Sequence, residues 1–406
     1  MGRLRFKDSL GTEFEEPDYL TIQDLFTKIK KHNSDGSNTN VITNSAEFGL
    51  IPQREFFDKD IAVVENTKKY TIIEKGDFVY NPRKSSTAPY GPFNCYSYEN
   101  PGIVSPLYSC LKPIYPSYTS YLLYYFESPN WHSYIYHNGN QGGARHDRVG
   151  MSDDLLMGIP VVLPVKEERE KIVALLKLID EKISVQTQIL KAYETRKSGI
   201  LKNIFECEIR INPENLEYAD WEEIMLNEIL VERKEKSTGM EDVYSVSVSK
   251  GLVNQIEHLG RSFAAEDTSK YKVVHPGDLI YTKSPTGEFK WGIVKQSTIS
   301  KNVIISPLYG VFIPTNPEIG YIIDAYFSSS IRAHNYLITQ IRKGAKNTIN
   351  ITNDEFLNKS IYLPVDENEQ KEIVKILKTL NEQIDIESEK LERLKKTKKG
   401  LLQSII

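Results

Sequence analysis

Asp278 followed by Glu288-Phe289-Lys290 has the D…ExK order in which two carboxylates hold Mg²⁺ and a lysine helps activate water in metal-dependent nucleases. An earlier stretch has the matching Asp77 but reads Thr87-Ala88-Pro89 where ExK would fall, so the Gly-Asp pair common to both is better read as a structural turn. Asn81-Pro82 continues as Arg83-Lys84 instead of the Pro-aromatic pair that grips an adenine in a methyltransferase. The glycines of "NGNQGGAR" (Asn138–Arg145) lack the Gly-Lys-Ser/Thr of a phosphate-binding loop. The seven histidines, His132 and His137 included, show no zinc-ligand spacing. No catalytic constellation emerges, and no metal or cofactor is expected on this chain.

Recognition chemistry is better served. Reading base edges takes Arg, Lys, Asn, Gln, Ser or Thr, and phosphates take basic or hydroxyl groups on loops. Two paired places qualify. One holds Asn81, Arg83, Lys84 and Ser85, matched by Thr282, Lys283 and Ser284. The other is a glycine-bearing loop with Gln141, Arg145 and Arg148, matched by Arg342, Lys343, Lys346 and Asn347. The tyrosines between Tyr96 and Tyr136 are expected in the core.

The matching exists because the chain repeats itself at an offset near 201. "YTIIEKGDFVYNPRKS" from Tyr70 aligns with "YKVVHPGDLIYTKSPT" from Tyr271, and "IVSPLY" (Ile103–Tyr108) with "IISPLY" (Ile304–Tyr309). Tyr125-Phe126 falls on Tyr326-Phe327, and Gly143-Ala144-Arg145 on Gly344-Ala345-Lys346. Between these landmarks the copies differ freely. β-rich runs such as "IIEKGDFVY" and "VVHPGDLIY", punctuated by Gly-Asp turns, predict strands and hairpins. "SYLLYYFES" and "GYIIDAYFSSSIRAHNYLI" predict helices, so each block is mixed α and β.

Each block is followed by a helical phrase, "LPVKEEREKIVALLKLIDEKI" from Leu163 and "LPVDENEQKEIVKILKTLNEQI" from Leu363. Ile172, Leu176, Ile179, Ile183, Gln186 and Leu190 step in fours and threes, as do Ile373, Leu377, Leu380, Ile384, Glu387 and Leu391. That is the seam of a coiled coil. Its polar members Gln186 and Glu387 are expected to set register. Lys197 and Lys398 continue the seam. Pro164 and Pro364 mark the helix entries, and Asp366 with Glu369 resembles a capping box. About 38 residues at ~1.5 Å each make a rod of roughly 57 Å. The expected organisation is a first block over 1–160, a helix over 161–208, a second block over 209–362 and a helix over 363–406. A second helix returning antiparallel to the first would make a pseudo-two-fold dumbbell from one chain.

Length and composition agree with two domains: 406 residues, 40% apolar, 26% charged. The start carries no signal-peptide core, no apolar run reaches the roughly 20 residues of a membrane span, and three unpaired cysteines fit a reducing cytoplasm. The net charge of −4 excludes a uniformly basic surface but not local patches.

Two blocks, each followed by an "LP…EQ..I…L..ID..I" phrase, resemble the specificity subunit of type I restriction-modification systems along the whole chain. The residues that carry the likeness are Leu363-Pro364, Glu369-Gln370, Ile373, Leu377 and Ile384, with Leu163-Pro164, Ile172, Leu176, Ile179-Asp180 and Ile183 in the first copy. The first copy departs by having Glu168-Arg169 in place of Glu-Gln. The resemblance implies two target recognition domains, each reading one half of a bipartite double-stranded DNA target. It implies helices that space the halves and form a platform for two modification subunits. S-adenosylmethionine would sit on those subunits, with ATP and Mg²⁺ on restriction subunits that add to the core. The chain itself would be non-catalytic. The rival readings are a coiled-coil scaffold that binds protein and not DNA, and a nuclease using Asp278, Glu288 and Lys290.

Overall fold

A computed structural model describes residues 4–56, 64–139, 147–211, 217–255, 267–340, 342–343 and 349–406. The chain forms two compact units. One combines Met1–Gln188 with Ser388–Ile406, and the other is the continuous stretch Ile189–Glu387.

In the first unit, strand Asp18–Thr21 pairs antiparallel with Pro160–Leu163, closing the block on itself where its long helix begins. The main antiparallel sheet runs in the order Phe26–Lys28, Ser109–Pro113, Phe78–Tyr80, Phe93–Cys95. A second sheet orders Gly49–Pro52, Val41–Ser45, Gly102–Val104 and Thr71–Ile73, with one parallel pairing between Val41–Ile42 and Ile103–Val104. The second unit repeats this plan. Glu222–Met225 pairs with Ser360–Leu363, and the main sheet runs Leu230–Glu232, Gly310–Pro314, Leu279–Tyr281, Val294–Gln296. The fold is mixed α and β and internally duplicated.

One expectation needs correcting. The Gly-Asp turns do not close hairpins. Thr71–Ile73 pairs with Gly102–Val104, while Phe78–Tyr80 joins the other sheet, and Lys272–Val274 and Leu279–Tyr281 part in the same way. The turn is a hinge between sheets. Gly76 and Gly277 take positive φ, and the buried Asp77 and Asp278 accept from the backbone N–H of Glu74 and His275, three residues back.

Aromatic rings fill the space between the main sheet and helix Thr119–Glu127. Phe93 and Phe126 lie 4.0 Å apart, centroid to centroid, and Phe26, Phe78 and Trp131 close around them. Tyr96, Tyr121, Tyr124 and Tyr125 are buried, whereas Tyr98, Tyr115 and Tyr136 face solvent. In the second unit Phe356 stacks on both Tyr281 and Phe312 against helix Pro317–Phe327.

The long helices span Lys166–Phe205 and Glu367–Ile405. In the first unit Ile172 and Leu176 share a core with Leu402, Ile405 and Ile406, while Asp180 meets Lys398, so the two segments run antiparallel. In the second unit Leu201 and Ile204 share a core with Ile373, Leu377 and Leu380. Ile179, Ile183, Gln186, Leu190, Ile384 and Glu387 are half-buried and Leu391 is buried, while Leu178, Val185 and Ile189 lie outside the stripe and are exposed.

The helix entries are held by contacts no local pattern shows. Asp366 accepts from the backbone of Asn368 and Glu369, which is half of a capping box. The other half is absent because the buried Glu369 carboxylate is taken by Arg210, with Nε and Nη2 at 2.9 and 2.5 Å. Arg5 holds the buried Glu168 in the same manner, at 3.3 and 2.9 Å. Each arginine also donates to a main-chain carbonyl, of Glu15 and of Ala219. The odd Arg169 does the work of Gln370: its guanidinium donates to the Pro164 carbonyl, as the Gln370 amide donates to that of Pro364.

Candidate nucleic-acid interface

The loops that carry the candidate residues leave the central strand of each main sheet and return one strand over. In the first unit the loop spans residues 81–92. Its base is closed by the Asn81 N–H donating to Pro92 O, and the buried Tyr80 hydroxyl reaches in to Tyr90 O at 2.7 Å. Gly91, at φ +85°, passes so close that a Cβ there would lie 2.1 Å from Asn81 O. The second unit has the same frame. Thr282 N–H donates to Ile293 O, the Tyr281 hydroxyl to Trp291 O at 2.7 Å, and Gly292 takes φ +93°.

Within this frame some singled-out side chains are used by the fold. Asn81 is nearly buried, donates to Asn44 O and accepts from Arg83 N. Thr282 is buried and its hydroxyl accepts from Ile293 N. Both hold the loop in shape. Arg83 and Ser85 are exposed, and Lys84 is half-buried.

The first unit also brings Arg148, the described member of its second candidate cluster, against the first cluster. Residues 82–84 pair with 147–149 through Lys84 N–H to Asp147 O and Val149 N–H to Pro82 O, with Arg83 and Arg148 directly opposite in an antiparallel bridge. Arg83 is 69% exposed and lies 3.7 Å from Asp147. Arg148 Nε is buried without a hydrogen-bond partner among the described residues. Gln141 and Arg145 lie outside the described residues. Two arginines opposite each other on paired segments make this a basic edge, of a residue type suited to phosphate or to paired acceptors on a base.

The second unit uses different side chains. Lys283 takes the left-handed φ of 54°, rare for a residue with a side chain. Its ammonium is half-buried near Lys272, Glu232 and Glu355, and burial pulls it below the ordinary lysine value. Ser284 leads into a turn in which Thr286 bridges to Phe289. Arg342 and Lys343 lie on a two-residue strand paired with Ile349–Asn350, and Lys346 and Asn347 fall outside the described residues.

Sequence reasoning passed over one feature of each loop, an aromatic ring that anchors its far end to a histidine on the neighbouring helix. Tyr90 packs on His132 at 4.9 Å, and burial holds the His132 imidazole below its ordinary value. Trp291 donates its indole N–H to His334 Nδ1 at 2.9 Å. The available signal was an aromatic at matched positions, Tyr90 and Trp291, with a histidine in each copy at nearly matched positions, His132 and His334.

The nuclease triad is not assembled as such. Asp278 is buried and held by Arg233 at 2.6 and 3.0 Å, while Glu288 and Lys290 are exposed in the loop. Its counterpart Asp77 has Lys112 nearby, yet burial pushes its carboxyl above the ordinary value. No group of three or more metal-binding side chains occurs among the described residues.

Residues 220–396 match the family described as the type I restriction modification DNA specificity domain. No curated protein matches the chain. Two solved structures share the fold over almost the whole length. One belongs to work on complex assembly and conformational transition of the type I R-M system, with TM-score 0.55, 13% identity, and 97% of this chain and 99% of that chain covered. The other is the type I restriction-modification system S subunit from M. genitalium, with TM-score 0.54, 12% identity, and 100% and 99% covered. Residues 220–396 are thus similar to the type I restriction modification DNA specificity domain, and the chain shares its fold with these two solved structures over almost its whole length.

Proposed function

We propose that this chain is the sequence-reading, non-catalytic subunit of a type I restriction-modification complex. Each block, 1–160 and 209–362, reads one half of a bipartite double-stranded DNA target. The helical stretches 161–208 and 363–406 set the gap between the halves and dock two modification subunits. S-adenosylmethionine is then bound by those subunits, with ATP and Mg²⁺ on restriction subunits where these join. None of the described helices is long and apolar enough to cross a membrane, and we place the complex in the cytoplasm.

The observation that carries the reading is a duplicated frame with unlike tips. Tyr80 and Tyr281, Gly91 and Gly292, and the closing backbone bonds recur, while the side chains between them differ. A frame kept while its tips change is what two readers of unlike half-sites need, because base-edge contacts specify while backbone contacts only position. The Arg83–Arg148 edge supports the first reader.

Modified-base sequencing of the host genome, with and without the gene, tests this. Loss of methyladenine at a split motif with a fixed gap is the expected result. An active modification partner with no split motif dependent on the gene would hand the case to the protein-binding scaffold.

A further inference from the structure

The duplicated design contains one place where the copies part company chemically. In the first unit Lys398 is closed in by Glu127 at 2.5 Å and Asp180 at 2.7 Å, and the Tyr124 hydroxyl donates to Asp180. Burial works against this ammonium, but the two carboxylates hold it above the ordinary lysine value. The equivalent lysine of the second unit is Lys197. There the repeat replaces Glu127 with Ser328, Asp180 with Asn381 and Tyr124 with Ala325.

All four of these residues line a cavity of about 280 Å³ in the second unit. Two further lysines border it: Lys250, where the first copy has Phe48 once "EFGLIPQ" is slipped by one residue onto "SKGLVNQ", and Lys295, where it has Asn94. Asp324 and Asp385 also line it, but Asp324 is engaged by Lys295 at 3.0 Å and by the Gln296 N–H. Lys197 itself makes no ion pair among the described residues. Burial, with Lys295 nearby, pulls its ammonium below the ordinary value despite Asp324 and Asp385. Three lysines against two aspartates surround a space that in the other unit is filled by two carboxylates and a phenol.

We infer that this cavity is a binding site for a phosphate-type oxyanion, which supplies to Lys197 the negative charge that Glu127 and Asp180 supply to Lys398. The inference goes beyond the DNA-reading proposal and rests on different residues. An oxyanion of this class comes either from a free small anion or from the DNA backbone.

The test is calorimetric titration of the full chain with inorganic phosphate. One saturable site is expected. Lys197→Met removes a charged donor and weakens it by about 10- to 100-fold. Asn381→Asp restores the carboxylate of the first unit, where it can also accept from the Tyr321 hydroxyl that Asn381 now meets at 2.6 Å. That variant is expected to lose phosphate binding while keeping or raising its melting temperature, so a folding defect cannot produce the result. Absence of saturable binding, or binding that both substitutions leave unchanged, overturns the inference. A random-sequence duplex then separates the sources: displacement of phosphate assigns the oxyanion to the DNA backbone, and unaltered phosphate binding assigns it to a free anion. The phosphate titration contains no DNA, so its outcome is independent of whether the chain reads sequence.

Discussion

Removing Arg5 strips the partner from a carboxylate that has nowhere else to go. Glu168 is 1% exposed, and both its oxygens face the Arg5 guanidinium. Breaking a fully buried pair from one side costs about 3–5 kcal/mol, because a charge is left unsolvated. The Arg5 side chain is 16% exposed, so water can follow its removal and we expect about 2–4 kcal/mol for Arg5→Met. The second bond, to the exposed Glu16, adds little. Replacing both members, Arg5→Met with Glu168→Met, removes the stranded charge and should recover about 2 kcal/mol or more as coupling. Urea unfolding followed by Trp131 fluorescence, with Trp221 and Trp291 changed to Phe, reports the first unit, in whose core Trp131 is buried. Arg210→Met should act on the second unit in the same way and leave the Trp131 transition in place. If the two single substitutions simply add, or if Arg5→Met costs less than about 0.5 kcal/mol, the carboxylate is not stranded and the reasoning fails.

Gly91→Ala sets a Cβ against Asn81 O at a positive φ, so the loop base must open; a loss above about 1 kcal/mol is expected by thermal unfolding, and wild-type stability would refute the close approach. Arg83→Ala and Arg148→Ala should each weaken binding of a duplex carrying the target. A loss of about 1–3 kcal/mol confined to one half-site marks a base contact, whereas a uniform loss with a salt slope shallower by about 1 marks a phosphate contact. Unchanged binding in both variants would remove this edge from the interface. Leu176 is fully buried beside Leu402, so charging it would damage the unit before it tested any docking. Val185, 55% exposed on the same helix, is the better probe: Val185→Glu should leave stability within about 0.5 kcal/mol and reduce co-purification of a modification subunit. Undiminished co-purification would move the docking surface elsewhere.

The duplication, the long helices and the buried stripe along them were legible because each is written in the sequence as a repeated phrase or a seven-residue period. The Gly-Asp turns were legible as turns but not as passages between sheets, since distant partners, Val104 for Thr71 and Leu111 for Phe78, decide which sheet a strand joins. The arginine clamps span 163 and 159 residues, and no periodicity encodes them. Glu369 fitted a capping box by spacing, and the stronger charged partner won. In the candidate interface spacing could not separate Asn81 and Thr282, whose polar atoms shape the loop, from the exposed Arg83. Nor could it foresee that Arg83 and Arg148 would face each other across a strand pair.

The interleaved division of the chain bears on how it is made. The second unit is one unbroken stretch, Ile189–Glu387, and every residue of its core is available once that stretch has left the ribosome. The first unit needs Leu402, Ile405 and Ile406 to complete the core around Ile172 and Leu176, and the Leu4 N–H waits for Ser404 O. The block synthesised first is thus finished last. Until its distant complement arrives, its nascent form holds an open apolar seam, the kind of surface that chaperones and neighbouring nascent chains would meet first.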